Sequence, residues 1–158
     1  MLLNSIVDSN ITVIGGGPGG YVAAIKAAQM GGKVFLVEQD KVGGTCVNRG
    51  CIPTKVLLTV SELLKYKNIA SQYGISSSDF AINYEILSNK KKSIVQTLVG
   101  GVERLLKKNG VQLIKGTGRL GSNHEVNVTS LDGKTTVIKS DKIILATGSN
   151  TSPREFLG

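Results

Sequence analysis

Two cysteines, Cys46 and Cys51, stand five positions apart in a 158-residue chain that has no others, inside GGTCVNRGCIPTK at residues 43–55. Thiols so close and so isolated can form a reversible redox pair, close a small structural loop, or stay as buried free thiols. In a regular helix, residues five apart are roughly 8–9 Å apart by Cα, beyond the ~7 Å reach of a disulfide, so a bridge requires a bent backbone. Gly50 permits that bend just before Cys51. Pro53 then suits the first turn of a helix over residues 53–66. At that helix's amino end, unpaired amides and the dipole favour a thiolate at Cys51, the chemistry of an exchanging thiol. A loop this short would constrain the unfolded chain by only about 2 kcal/mol, which favours the redox reading over the staple. Zinc in a tetrahedral site wants four ligands, and beyond the cysteines the chain offers a single histidine, His124, which reads as a surface residue on a turn. No metal site is expected.

A second constellation precedes the first. Gly15, Gly17 and Gly20 form G-x-G-x-x-G where an apolar run at 10–14 ends and helical spacing begins. In such a turn the first glycine permits a tight reversal, the second lets the backbone approach a pyrophosphate, and the third packs helix against strand. The helix amino end then holds the negative charge. Glu38 follows Gly20 by 18 positions, at the end of the next apolar run, where an acidic residue accepts hydrogen bonds from an adenosine ribose. Residues 39–41 contain no arginine for a 2′-phosphate, which argues against NADP and leaves FAD and NAD open.

The elements that would position these groups can be read in order. Strands are expected at 10–14 and 33–37, joined by a helix that Gly31 and Gly32 stop, with a right-handed crossover. Residues 71–79 read as a polar loop. Apolar residues recurring at three, four or seven from 84 to 108 give a long amphipathic helix ended by Asn109 and Gly110. A strand at 111–115 leads into alternating runs broken at 121–123 and at Asp132-Gly133, a small antiparallel meander. Residues 143–146 return to the main sheet and deliver Thr147 and Gly148 to its carboxyl end, where open α/β sheets bind ligands. The expected fold is α/β, Rossmann-like, with a parallel sheet, flanking helices and a small antiparallel β-meander.

Composition narrows the function classes. The net charge of +8 could suit nucleic acid or a membrane surface, but the basic residues are scattered and aromatics are 4% of the chain, so stacking platforms are scarce. Neither partner is expected. The amino terminus lacks a basic region followed by an unbroken apolar run, and no stretch approaches a membrane span, which points to a cytoplasmic setting.

With both motifs in hand, the sequence resembles the flavoprotein disulfide reductases, and within them it is most similar to the amino-terminal part of the dihydrolipoamide dehydrogenases. The resemblance is carried by VIGGGPGGYVAA at 13–24, by Glu38, by GGTCVNRGCIPTK at 43–55 and by IILATGS at 143–149. Arg49 stands where many members carry an aliphatic residue. The resemblance implies FAD as cofactor, with Cys46 the thiol that meets the substrate disulfide and Cys51 the thiol that faces the flavin. It puts Gly44 and Thr45 along the dinucleotide, Lys55 near the reactive flavin nitrogen, Gly118 on the adenine side, and Thr147, Gly148 and Ser149 on a second flavin-contacting turn. It further implies NAD in the intact enzyme, a lipoyl-bearing protein of a 2-oxoacid dehydrogenase or glycine cleavage complex as partner, and a homodimer. On this reading residues 1–149 are an incomplete FAD-binding domain and 150–158 a linker toward an absent NAD-binding domain, so the fragment would not turn over by itself. Glutathione and mercuric reductases share the cysteine frame. Two further readings stay open: a dinucleotide-binding module without catalysis, and an NAD-dependent dehydrogenase in which the cysteines have no role.

Overall fold

The computed structural model describes residues 5–76 and 81–150. Their order is β1 (Ser5–Ile14), α1 (Pro18–Gln29), β2 (Val34–Glu38), α2 (Gly44–Asn48), α3 (Cys51–Ala70), a 3₁₀ turn at Ser71–Tyr73, α4 (Tyr84–Lys108), β3 (Gln112–Lys115), β4 (Thr117–Leu120), β5 (Glu125–Thr129) and β6 (Thr135–Leu145). Part of the expected loop at 71–79 and of the expected linker at 150–158 lies outside the described residues.

The strands form one mixed sheet in the order β3-β2-β1-β6-β5-β4. β1 pairs in parallel with β2 and β6, and β2 with β3, whereas β5 runs antiparallel to both β4 and β6. Alternation along β2 explains how the sheet is buried on both faces. Val34 and Leu36 pack with Val13, Ala24, Val102 and Leu106 under α1 and α4, while Phe35 and Val37 join Ile14, Val126, Val128 and Ile138 on the other side. Such two-sided burial is why these strands read as continuous apolar runs.

The meander is therefore half of the sheet rather than an appendage. β6 is one strand of 11 residues that pairs with β5 over its first half and with β1 along nearly all its length, where the sequence suggests two separate strands. The outermost strands, β3 and β4, are joined by Gly116 alone, so the sheet wraps back on itself. This wrapping brings Gly118 of β4 over Ile14 and Val37, where an added Cβ would stand 3.1 Å from side chains of both. The carboxyl ends of β1 and β2 thereby face β4 across a cleft.

Candidate functional site

A cleft of about 900 Å³ opens at the carboxyl ends of β1, β2 and β6, lined by the 15–19 turn, Glu38 and the three residues after it, α2, the start of β4, and residues 146–150. Its floor is fixed by backbone contact. Gly15 lies at φ +104°, and a side chain there would overlap the Ala146 carbonyl. Gly20 closes onto the Gly15 carbonyl in the same way, which presses α1 against the end of β1. Pro18 occupies the first turn of α1 and Gly17, its N-cap, has no side chain to satisfy the helix amides. The exposed amide end thus points into the cleft, a ready cradle for an anion.

α2 crosses close above this turn. Gly44 has φ +59°, and an added Cβ would sit 2.7 Å from the Cα of Gly17. Gly43 N donates to Gly16 O at 2.8 Å, locking the approach. A five-residue helix has little stability of its own, and Asn48 supplies a staple: its Nδ2 donates to Val42 O at 3.1 Å and Gly44 O at 3.0 Å. Its Oδ1 is buried and meets no protein donor among the described residues.

Glu38 closes the other side. One carboxylate oxygen accepts from Gly16 N at 2.6 Å and the other from Asp40 N at 2.7 Å. The carboxylate is thus held at the glycine turn, with lone pairs left for a diol. Lys115 Nζ donates to Asp40 O at 3.0 Å, which steadies the loop after β2 from the β3 side.

Cys46 and Cys51 are joined as a disulfide with Cα atoms 4.7 Å apart. The expected bend is present: α2 ends at Asn48, Arg49 N and Gly50 N both fold back to Thr45 O at 2.9 and 2.7 Å, and α3 starts at Cys51. A Cβ on Gly50 would stand 3.2 Å from that carbonyl. The helix begins two residues before the expected start at Pro53, so Cys51 is its first residue and Pro53 lies within its first turn.

The cleft brings together Gly15, Gly17, Glu38, Gly44, Thr45, Cys46, Gly118, Thr147, Gly148 and Ser149. Gly20 acts from beneath, and Cys51 and Lys55 lie outside the lining, with Lys55 exposed on α3. His124 is on the β4–β5 turn, away from the cleft, with φ +62°. Sequence reasoning misses Arg49 and Leu131 as lining residues. Arg49 reaches the cleft rim and pairs with Asp40, although no arginine occurs among residues 39–41. Its departure from the aliphatic pattern is the only signal the sequence holds. Among the described residues, no cluster of histidine, cysteine and acidic side chains could hold a metal, and no helix is long and apolar enough to cross a membrane.

Residues 9–157 match the family described as pyridine nucleotide-disulphide oxidoreductase. Over 151 residues the chain is 46% identical to a dihydrolipoyl dehydrogenase of Chlamydia pneumoniae, a stretch that covers 96% of this chain and 32% of that protein. It is 45% identical to the mitochondrial dihydrolipoyl dehydrogenase of Bos taurus, covering 93% of this chain and 30% of the relative. The chain spans about a third of the length of these curated relatives.

Proposed function

This chain belongs to the pyridine nucleotide-disulphide oxidoreductase family, and we propose that it forms the flavin-binding, disulfide-bearing part of a dihydrolipoyl dehydrogenase that oxidises a protein-bound dihydrolipoyl dithiol and passes the electrons to NAD. The observation that carries the reading is a closed disulfide joining Cys46 of α2 to Cys51 of α3, with Cys46 lining a glycine-rich cleft at whose other side the Glu38 carboxylate is held by Gly16 N.

FAD fits the residues present. Gly15 and Gly44 stand where an added Cβ would overlap neighbouring backbone, Gly17 offers bare backbone at the amino end of α1, which suits a pyrophosphate, and Glu38 suits a ribose diol. Thr45, Gly118 and the 147–149 turn would complete its contacts, and Lys55 would assist from α3. When bound, FAD supplies a two-electron acceptor beside the disulfide.

The protein's own part is thiol exchange. A thiolate of the substrate dithiol attacks Sγ of Cys46, which lines the cleft; the Cys46–Cys51 bond breaks and Cys51 leaves as a thiolate. As the first residue of a 20-residue helix, Cys51 is stabilised in that form by the helix amides, and a stabilised thiolate leaves faster. The second substrate thiol, deprotonated, then attacks the mixed disulfide at the substrate sulfur. Substrate leaves as a cyclic disulfide, and Cys46 and Cys51 hold the electron pair as a dithiol.

Reconstitution tests the cofactor claim. The purified chain mixed with FAD is expected to quench flavin fluorescence with one-to-one stoichiometry, and Glu38→Ala to weaken binding by about tenfold, the worth of one charge-assisted hydrogen-bond set. Binding of NAD in preference to FAD would overturn it.

A further inference from the structure

Leu131 is 93% exposed, the most exposed of the large hydrophobic residues described, yet it is also one of the residues lining the cleft. A lone exposed leucine is ordinary on a protein surface. This one differs in where it is and in how firmly it is held. It sits at the tip of the β5–β6 hairpin, two residues beyond Thr129, which pairs with Thr117 of β4. Gly116, Thr117 and Gly118 line the cleft with it, and Gly116 N bonds to the backbone carbonyl of Glu38 at 3.0 Å. The leucine therefore overhangs the end of the cleft where Glu38 stands, beside backbone that carries no large side chain.

The tip is rigid. Ser130 N donates to Lys134 O at 2.9 Å and Gly133 N to Ser130 O at 3.0 Å, while the Ser130 hydroxyl bonds to Asp132 and Asp132 pairs with Lys134 at 3.1 Å. Gly133 takes φ +79°, as the turn demands. An apolar side chain held in water on an ordered tip loses nothing further in backbone freedom when a flat apolar surface is laid against it.

We propose that Leu131 is an adenine-contacting residue, closing over the base of the dinucleotide whose ribose is held at Glu38. The inference rests on the flavin reading of the cleft and adds to it a contact supplied by the hairpin tip, outside the glycine, cysteine and Thr147-Gly148 motifs. The adenine face would rest against the leucine methyls while the strand β4 backbone approaches its edge.

The test compares the intact chain with Leu131→Ser and Leu131→Met by titration with FAD and by competition of FAD with ADP, which carries the adenosine without the flavin. Leu131→Ser is expected to weaken FAD and ADP by the same factor, about five- to tenfold for loss of half a leucine's burial, and Leu131→Met to stay within about twofold of the parent. Unchanged melting temperatures would accompany this, because the side chain touches solvent. Unaltered FAD affinity in Leu131→Ser overturns the inference and leaves the flavin reading standing, as does a loss for FAD that ADP does not share. A parent chain that binds neither ligand overturns both.

Discussion

Arg49 donates to the carboxylate of Asp40, so the segment between the two cysteines is tied to the loop that follows Glu38. The pair spans the cleft rim with its side chains 70% and 44% exposed. Exposed ion pairs contribute about 0.2–1 kcal/mol and are screened by salt. Arg49→Val, Asp40→Asn and the double variant are therefore expected to lose the same small amount in urea unfolding, with a coupling energy that vanishes at ~1 M salt. Additive losses would show that the two residues act independently.

Asn48 should matter more, because its amide hydrogens serve several carbonyls in a part-buried setting. Asn48→Ala strands those carbonyls and is expected to cost about 1–3 kcal/mol. Asn48→Asp, which sets a carboxylate against carbonyl oxygens, should cost at least as much. Loosening α2 lowers the effective concentration of one thiol at the other, so the equilibrium with glutathione is expected to move toward the dithiol. Equilibration in glutathione buffers followed by alkylation and mass spectrometry reads this; an unchanged thiol fraction would remove Asn48 from the positioning of Cys46.

Two glycines separate a demanded position from a tolerant one. Gly44→Ala meets both a positive φ and the Gly17 backbone, and should destabilise the fold by more than about 1 kcal/mol and abolish dinucleotide binding. Gly101→Ala, within α4 and with open space around its Cβ, should stabilise by about 0.5–1 kcal/mol. Thermal melts and FAD titration of the two variants check the contrast.

These residues also show what the sequence can and cannot carry. α4 has the bounds its periodicity suggests, Tyr84–Lys108, because both ends are written locally: the Asn83 side chain accepts from Ile86 N at 3.1 Å, and Asn109 and Gly110 end the helix. Gly15, Glu38 and the cysteine pair are legible for the same reason, each being a local demand of a turn, a strand end or a short loop. β6 reads as two strands because β5 leaves its outer edge after Lys139 while β1 stays paired along the other, a difference set by tertiary pairing that leaves no mark in the residues themselves. Leu131 reaches the cleft only through the pairing of β5 with β4, and Arg49 only through the placing of α2 beside the loop that holds Asp40.

Asp132 at the hairpin tip is expected to titrate below the ordinary carboxylate range. The Ser130 hydroxyl, then Lys134, hold the Asp132 carboxyl down from its ordinary 3.8 to about 2. A depressed carboxyl contributes stability that is complete above 3.8 and is lost as pH falls toward 2. Carboxyl NMR titration should place the Asp132 midpoint near 2, with the amides of Gly133 and Lys134 shifting in the same window. Ser130→Ala should raise that midpoint, and a normal midpoint in the parent would mean that the tip bonds do not persist in solution.

The central claim is that the Cys46–Cys51 disulfide exchanges electrons with a flavin bound in the cleft. Its most direct measurement is an anaerobic titration of the FAD-reconstituted chain with dihydrolipoamide, followed by absorbance and by thiol alkylation. One equivalent is expected to open the disulfide, to make Cys46 the first thiol to alkylate, and to produce a long-wavelength absorption band that Cys51→Ser abolishes. A bound flavin whose spectrum ignores the opening of the disulfide, or a disulfide that dihydrolipoamide leaves closed, would contradict it.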